Sequence, residues 1–332
     1  MSHAGDVFGP VLQALAADPT TEFGAPGARV EVLRRIDGPF SSVQRVRIHT
    51  PARTFHAYTK VLKPRQPGTE ELSRIDRFLK REFAATSALY NALQQDADIG
   101  AVRPIALLPE YRALATEEVP GRPFGELLAD VSQTQDWLET IARRVGGWVR
   151  VYQTVVEAGG QIELSERRAY LDDRLKLLEG RVLSSADRRN TLARFDDLSL
   201  EIGVSAVPAV AIHADLTPMN IIVDQSGRVA VLDFTMAKKG PAHHDLSHVY
   251  FHLDLLAGKD PRRRGSIEAL QRAMLAGYRP DLSTADPLFR LMLLQHAVCH
   301  VALLAERRFP IVDAAYRWFL RRRWQAVVKL NR

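Results

Sequence analysis

Cysteine is almost absent from this chain: Cys299 stands alone among 332 residues. An internal disulfide is thereby excluded, and a reducing compartment is expected. The opening Met-Ser-His-Ala-Gly-Asp lacks the basic-then-apolar pattern of a secretion signal, so the expected location is cytoplasmic. No unbroken apolar run reaches membrane-spanning length. The nearest, residues 288 to 305, contains Arg290, Gln295, His296 and His300, which points to a buried helix. Internal repeats and low-complexity stretches are also missing.

Acidic residues are missing from the end of the chain. From Arg317 onward there are Arg and Lys residues but no Asp or Glu, and the net charge of +6 resides there. A basic end suits an anionic substrate, a nucleic acid or a membrane surface, and equally a solvated helix face. The run Tyr316-Arg317-Trp318-Phe319-Leu320-Arg321-Arg322-Arg323-Trp324 mixes cations with aromatics. It could make a peripheral membrane contact. The preferred reading packs its tryptophans on the protein and lets the arginines reach solvent. No nucleic-acid motif accompanies it, so no nucleic-acid partner is expected. The oligomeric state is left open.

What is present describes a globular chain. Apolar residues make up 46% and charged residues 25%, and the length suits two domains. Residues 7 to 16 could form a short amphipathic helix. Strand patterns follow at 30 to 37, 43 to 49 and 55 to 62, with the turn-forming run Asp37-Gly38-Pro39-Phe40-Ser41-Ser42 between the first two. A long helical pattern over 69 to 95 carries Leu72, Ile75, Leu79, Leu89 and Leu93 on one face. Strand-like pieces lie near 102 to 108 and 112 to 117. Pro120, Gly121 and Pro123 mark a boundary. The division is therefore drawn at 1–118, a sheet-plus-helix part, and 119–332, a mainly helical part. Helical patterns occupy 133 to 158, 167 to 181, 185 to 201 and much of 243 to 332. One island interrupts them, residues 208 to 234, with a hairpin signal at Asp224-Gln-Ser-Gly227.

The island holds the chemistry. His213-Ala214-Asp215-Leu216-Thr217-Pro218-Met219-Asn220 leaves one apolar strand and enters another, and Asp233-Phe234 follows thirteen residues after Asn220. Phosphoryl transfer needs a carboxylate to accept a hydroxyl proton and hard oxygen ligands to hold Mg²⁺ across phosphates. Asp215 fits the first need. Asn220 and Asp233 fit the second.

This pattern resembles the catalytic loop of the aminoglycoside phosphotransferase and choline kinase group, relatives of the protein kinases. Their loop reads H-G-D-L-x-P-x-N; here Ala214 stands where glycine is usual. The protein kinases carry a lysine two residues after the base, where this chain has Thr217. The resemblance spans roughly residues 30 to 250. It implies an α+β, two-lobed protein-kinase-like fold, with a small antiparallel-sheet N-lobe, a larger mainly helical C-lobe, and ATP with Mg²⁺ as cofactors. It also implies a small-molecule hydroxyl acceptor, Asp215 as catalytic base, and Asn220 and Asp233 as metal ligands.

Further site residues follow from the same frame. Lys60, on the third strand, is expected to reach the nucleotide phosphates, with Lys63 as its rival. Glu82 lies seven residues from both Ile75 and Leu89, so it shares the apolar helix face, where an ionised carboxylate needs a partner. A buried Lys60–Glu82 pair would satisfy both. Gly38, Ser41 and Ser42 could offer N–H and hydroxyl donors to phosphate. The segment around Glu117 and Val119 resembles the family's interlobe linker, whose backbone meets the adenine edge. Asp245 is expected to brace the catalytic loop. His244, His248 and His252 share a helix face, for which structural or substrate-lining roles are preferred over metal binding. Lys238 and Lys239 could meet an anionic acceptor. Enzymes that bind aminoglycosides, which are polycations, need clustered carboxylates, and the basic end of this chain offers none. The expected acceptor is therefore neutral or anionic, such as a sugar, with aminoglycosides and amino alcohols as one alternative and a catalytically inactive, kinase-like module that binds nucleotide or a partner as the other.

Overall fold

A computed structural model describes residues 7–66, 68–306, 318, 320–322 and 324–325. The chain opens with helix α1 (Phe8–Ala17), then strands β1 (Arg29–Asp37), β2 (Ser41–His49) and β3 (Thr54–Leu62). Helix α2 (Thr69–Leu93) leads to β4 (Ile99–Ala101), β5 (Pro104–Leu108), β6 (Ala113–Glu117), β7 (Arg122–Pro123) and α3 (Phe124–Ala129). Next come α4 (Gln135–Val155), β8 (Gln161–Glu163), α5 (Leu164–Leu178), α6 (Ser185–Ile202) and β9 (Ala206–Ile212). The hairpin β10 (Ile221–Val223) and β11 (Val229–Val231) precedes β12 (Lys238–Pro241). Helices α7 (His244–Lys259), α8 (Arg264–Tyr278) and α9 (Pro287–Glu306) complete the order.

These elements form two compact units. The first comprises residues up to Ala129 together with Met219–Ala237; the second comprises Asp130–Pro218 and the residues from Lys238 onward.

In the first unit an antiparallel sheet runs in the order β1-β2-β3-β6-β5. Alternation decides its faces. Along β2, Ser42, Gln44, Val46 and Ile48 are buried while their neighbours are less so. On one side α1 contributes Phe8, Val11 and Leu15 to a core with Val46, Ile48, Phe55, Ala57 and Val61. On the other side Ile75 and Leu79 of α2 pack with Leu62 and Leu114. Glu70 and Glu71 sit in the first turn of α2, where acidic side chains oppose the helix dipole. A second sheet, β4-β11-β10-β7, includes the parallel pair β4–β11. Its hairpin turn is set by Asp224, whose Oδ1 accepts from the N–H groups of Ser226 and Arg228, and by Gly227 at φ +81°.

The second unit is mainly helical, with a small sheet β12-β9-β8. Helix α6 starts with a reciprocal capping box between Ser184 and Asp187 and stops at Gly203 in the left-handed region. Helices α4 and α8 approach closely because Gly146 and Gly277 lie at their crossing. A Cβ on either would fall 2.0 Å from a carbonyl oxygen of the facing helix. Helix α9 is long and apolar enough to cross a membrane by length and composition. Here it is a core helix, as residues 288 to 305 suggested: Leu291, Leu294, Val298 and Val301 pack with Leu171, Leu175 and Phe195. Leu320 and Trp324 from the basic end join that core, while Trp318 stays exposed with the Arg322 guanidinium 5.2 Å above its ring. Tyr316, Arg317, Phe319 and Arg323 lie outside the described residues.

Candidate active site

In the first unit, Lys60 projects from β3 toward α2. Its Nζ lies 3.1 Å from Glu82 Oε1 and 2.7 Å from Asp233 Oδ1, and it also contacts the Thr235 hydroxyl. Burial pulls the Lys60 ammonium down, but the Glu82 and Asp233 carboxylates outweigh it and hold the pKa above the usual lysine value. Lys60 is therefore a fixed cation. Glu82 is 5% exposed on the apolar face of α2, where this ammonium answers its charge. Asp233 is more open, with its side chain 49% exposed.

Asp233 sits at φ +67°, in the left-handed region that Asp tolerates better than most residues. This conformation ends the β11 extension and starts the short helical turn 234–236. The Leu232 N–H donates to the Asn220 carbonyl at 2.9 Å, which continues the β10–β11 register. Asn220 and Asp233 are thus brought to the same end of one hairpin. Thr235 was not anticipated. Its hydroxyl lies 2.9 Å from Glu82 Oε2 and 2.7 Å from Asp233 Oδ1, and only its position two residues after Asp233 could have signalled it.

Lys63 goes elsewhere. Its Nζ is 3.0 Å from the Gly38 carbonyl, on the β1–β2 turn. In that turn the Gly38 N–H donates to Ser41 O at 2.8 Å, and the Ser42 hydroxyl donates to the Asp37 carboxylate. The Ser42 hydroxyl, followed by Arg35, holds Asp37 down at about 2. Gly38 and Ser42 therefore use these donors inside the turn.

The linker segment is braced by its side chains. Glu117 binds Arg53 at 2.7 Å and Arg103 at 2.8 Å, and Glu118 binds Arg45 at 2.8 Å. The N–H groups of Glu117 and Glu118 donate to the carbonyls of Arg103 and His56, both at 2.9 Å. The N–H of Val119 makes no such bond among the described residues.

In the second unit, β9 ends at Ile212 and the loop begins. Asp245, fully buried at the start of α7, accepts the N–H of His213 at 2.6 Å and of Ala214 at 2.9 Å. Burial pushes the Asp245 carboxyl up, but His244, His213 and these N–H donors outweigh it and hold the pKa below its usual range. His213 is buried too, and its Nδ1 accepts the Asp215 N–H at 3.3 Å. Ala214 adopts φ +64°, which explains why glycine suits this position. The backbone leading into Asp215 is thus fixed, and Asp215 itself stays half-buried.

The histidine face of α7 is interior. His248 stacks on His296 of α9 with ring centroids 4.5 Å apart, and His252 lies 4.9 Å from His248. Among the described residues no group of three or more His, Cys, Asp or Glu side chains could hold a metal.

The model of the phosphotransferase enzyme family (APH) matches residues 33–288. No curated protein matches the chain in sequence. Among solved structures, a choline/ethanolamine kinase family protein from Mesorhizobium loti is similar, with a TM-score of 0.54 at 15% identity, covering 97% of this chain and 95% of that one. The macrolide 2'-phosphotransferase MphH from Brachybacterium faecium gives 0.54 at 16% identity, covering 97% and 98%. A thermostable mutant of the aminoglycoside phosphotransferase APH(4)-Ia, in ternary complex with AMP-PNP and hygromycin B, gives 0.54 at 14% identity, covering 94% and 98%. At these identities the likeness establishes the fold, which is α+β and kinase-like. With the family match spanning most of its length, the chain belongs to the phosphotransferase enzyme family.

Proposed function

We propose that the chain moves the γ-phosphate of ATP to a hydroxyl of a small neutral or anionic molecule. The observation that carries this reading is the Lys60–Glu82–Asp233 cluster, one ammonium held by two carboxylates. Lys60 is kept cationic and can receive phosphate oxygens. Glu82 aims it. Val119 can offer its N–H to the adenine edge.

The half-exposed Asp233 carboxylate and the Asn220 amide at the same hairpin end are hard oxygen donors, which fit Mg²⁺. When bound, Mg²⁺ would neutralise phosphate charge. Asp215 orients the acceptor hydroxyl and accepts its proton, from a backbone locked by Asp245 and His213. Most of the acceleration then comes from positioning and charge.

The test is to incubate the protein with labelled ATP and a metabolite extract and to identify the labelled product. A labelled small hydroxyl compound that disappears with Asp215→Asn supports the reading. Equal labelling by the variant overturns it. Labelling of aminoglycosides alone overturns the acceptor class.

A further inference from the structure

In the second unit, Tyr170 lies between two guanidinium groups. Arg167, Tyr170 and Arg174 share one face of α5. The Cζ atoms of Arg167 and Arg174 are 5.6 and 5.2 Å from the Tyr170 ring centroid, within cation–π range. The phenol oxygen is 3.6 Å from Cys299 Sγ on α9. Burial pushes the Cys299 thiol up, against the Tyr170 hydrogen bond and the charges of Arg174, Lys238 and Arg167. The acids that follow on α5 are engaged elsewhere: Asp172 with Arg188 at 2.7 Å, and Asp173 with Lys176 at 3.0 Å. The Nε of Arg167 is buried and has no hydrogen-bond partner among the described residues.

Helix α9 leads from this cluster to the catalytic loop: three residues before Cys299, His296 Nε2 bonds the His244 carbonyl at 2.9 Å, next to the Asp245 that holds the loop. Lys238 opens β12 directly opposite Ile212 on β9. Ile212 precedes Asp215 by three residues, at most about 10 Å of chain.

We propose that Arg167 and Arg174, which flank Tyr170, and Lys238, which stands opposite Ile212, form an anion-binding subsite beside the Asp215 loop that takes a carboxylate or phosphate of the acceptor. The inference rests on the phosphotransferase reading with Asp215 as base, and it narrows the acceptor to an anionic hydroxyl compound. Guanidinium groups bind carboxylate and phosphate in a forked geometry. Two guanidinium groups at one ring also repel, and a bound anion relieves that repulsion. A polycationic acceptor would instead add to it.

The test compares matched acceptors that differ by one anionic group: glycerate against glycerol, and glucose 6-phosphate against glucose. Phosphatidylglycerol vesicles against phosphatidylcholine vesicles separate a lipid source from a soluble one. The anionic member of a pair should have the higher kcat/KM, by about tenfold or more. Arg167→Gln with Arg174→Gln should bring the ratio to about one, and the exposed Lys238→Gln should lower it without altering the melting temperature. Arg167→Lys with Arg174→Lys should keep most of the preference. A wild-type ratio near one, or a ratio unmoved by the glutamine variants, overturns the subsite.

Calorimetric binding of 3-phosphoglycerate to the full chain separates the two readings. Binding that is lost in the glutamine variants, with no acceptor phosphorylated, leaves the subsite standing and removes the phosphotransfer reading. Absence of binding, with phosphate moving only to neutral or cationic hydroxyls, removes the subsite alone.

Discussion

Lys60 and Asp233 are 173 positions apart in the chain, yet Nζ and Oδ1 meet at 2.7 Å. The same ammonium holds the buried Glu82. Lys60→Met should therefore act twice. It leaves Glu82 without a cation, which costs about 3 kcal/mol by analogy with broken buried pairs. It also removes the phosphate-binding charge. Urea unfolding should show the first loss and acceptor phosphorylation the second. Glu82→Gln keeps an acceptor for Lys60 and should cost less stability than Lys60→Met. The reverse order would contradict the pairing.

Ala214 offers a finer probe of the loop. A non-glycine residue at φ +64° carries about 1–2 kcal/mol of steric strain. Ala214→Gly removes the strain but adds unfolded-state freedom of about 0.4–1 kcal/mol. The net expectation is a small gain in melting temperature with activity retained. Ala214→Val should lose both, because a branched side chain fits this region poorly.

Asp254 is a titratable weak point in the second unit. Burial pushes its carboxyl up to about 6, against the hydrogen bond from Gln271. The folded chain therefore holds a proton that the unfolded chain, with a value near 3.8, has already lost. Stability from this group is greatest at low pH and falls as pH rises from about 4 to about 6. Asp254→Asn keeps an oxygen for Gln271 and should stabilise the protein at pH 7 by about 1–3 kcal/mol. Melts at pH 7 and pH 4 should show the gain only at the higher pH.

His248 and His296 have the opposite sign. Burial, then the repulsion of neighbouring histidines, holds both well below 6.5. As pH falls through 6.5 the unfolded chain takes protons that the folded chain refuses, so stability declines toward acid. Each group contributes a slope of about 1.4 kcal/mol per pH unit in that window. His248→Phe should flatten the decline between pH 6.5 and 5.5, and since Nδ1 of His248 has no hydrogen-bond partner among the described residues, no bond seen there is lost. An unchanged slope would show that His248 does not control it.

Glu82 was legible because a carboxylate on an apolar helix face demands a cation, and the third strand supplied Lys60, with Lys63 just beyond its end. The sheet, α2 and the β10–β11 hairpin were legible from alternation, periodicity and turn residues. Short pieces such as β7, β8 and β12 were not, because strands of two to four residues carry no pattern of their own and exist through distant partners. The strand pattern at 102 to 108 holds β5 alone; β4, at Ile99–Ala101 just before it, carries no pattern and pairs in a different sheet. The type and place of Ser42 suit a phosphate donor; its bond to Asp37 depends on a register that types do not reveal.

The strand β1 closes one side of its sheet without a further neighbour among the described residues. An open strand of nine residues is a template on which another chain could add. Here Arg29, Glu31, Arg34, Arg35 and Asp37 stud it with charge, and an irregularity between Val32 and Arg34 interrupts its straight run. Charge thus guards the open margin of the sheet: exchanging Arg34 and Arg35 for valine would leave the Lys60 cluster untouched while turning that margin adhesive.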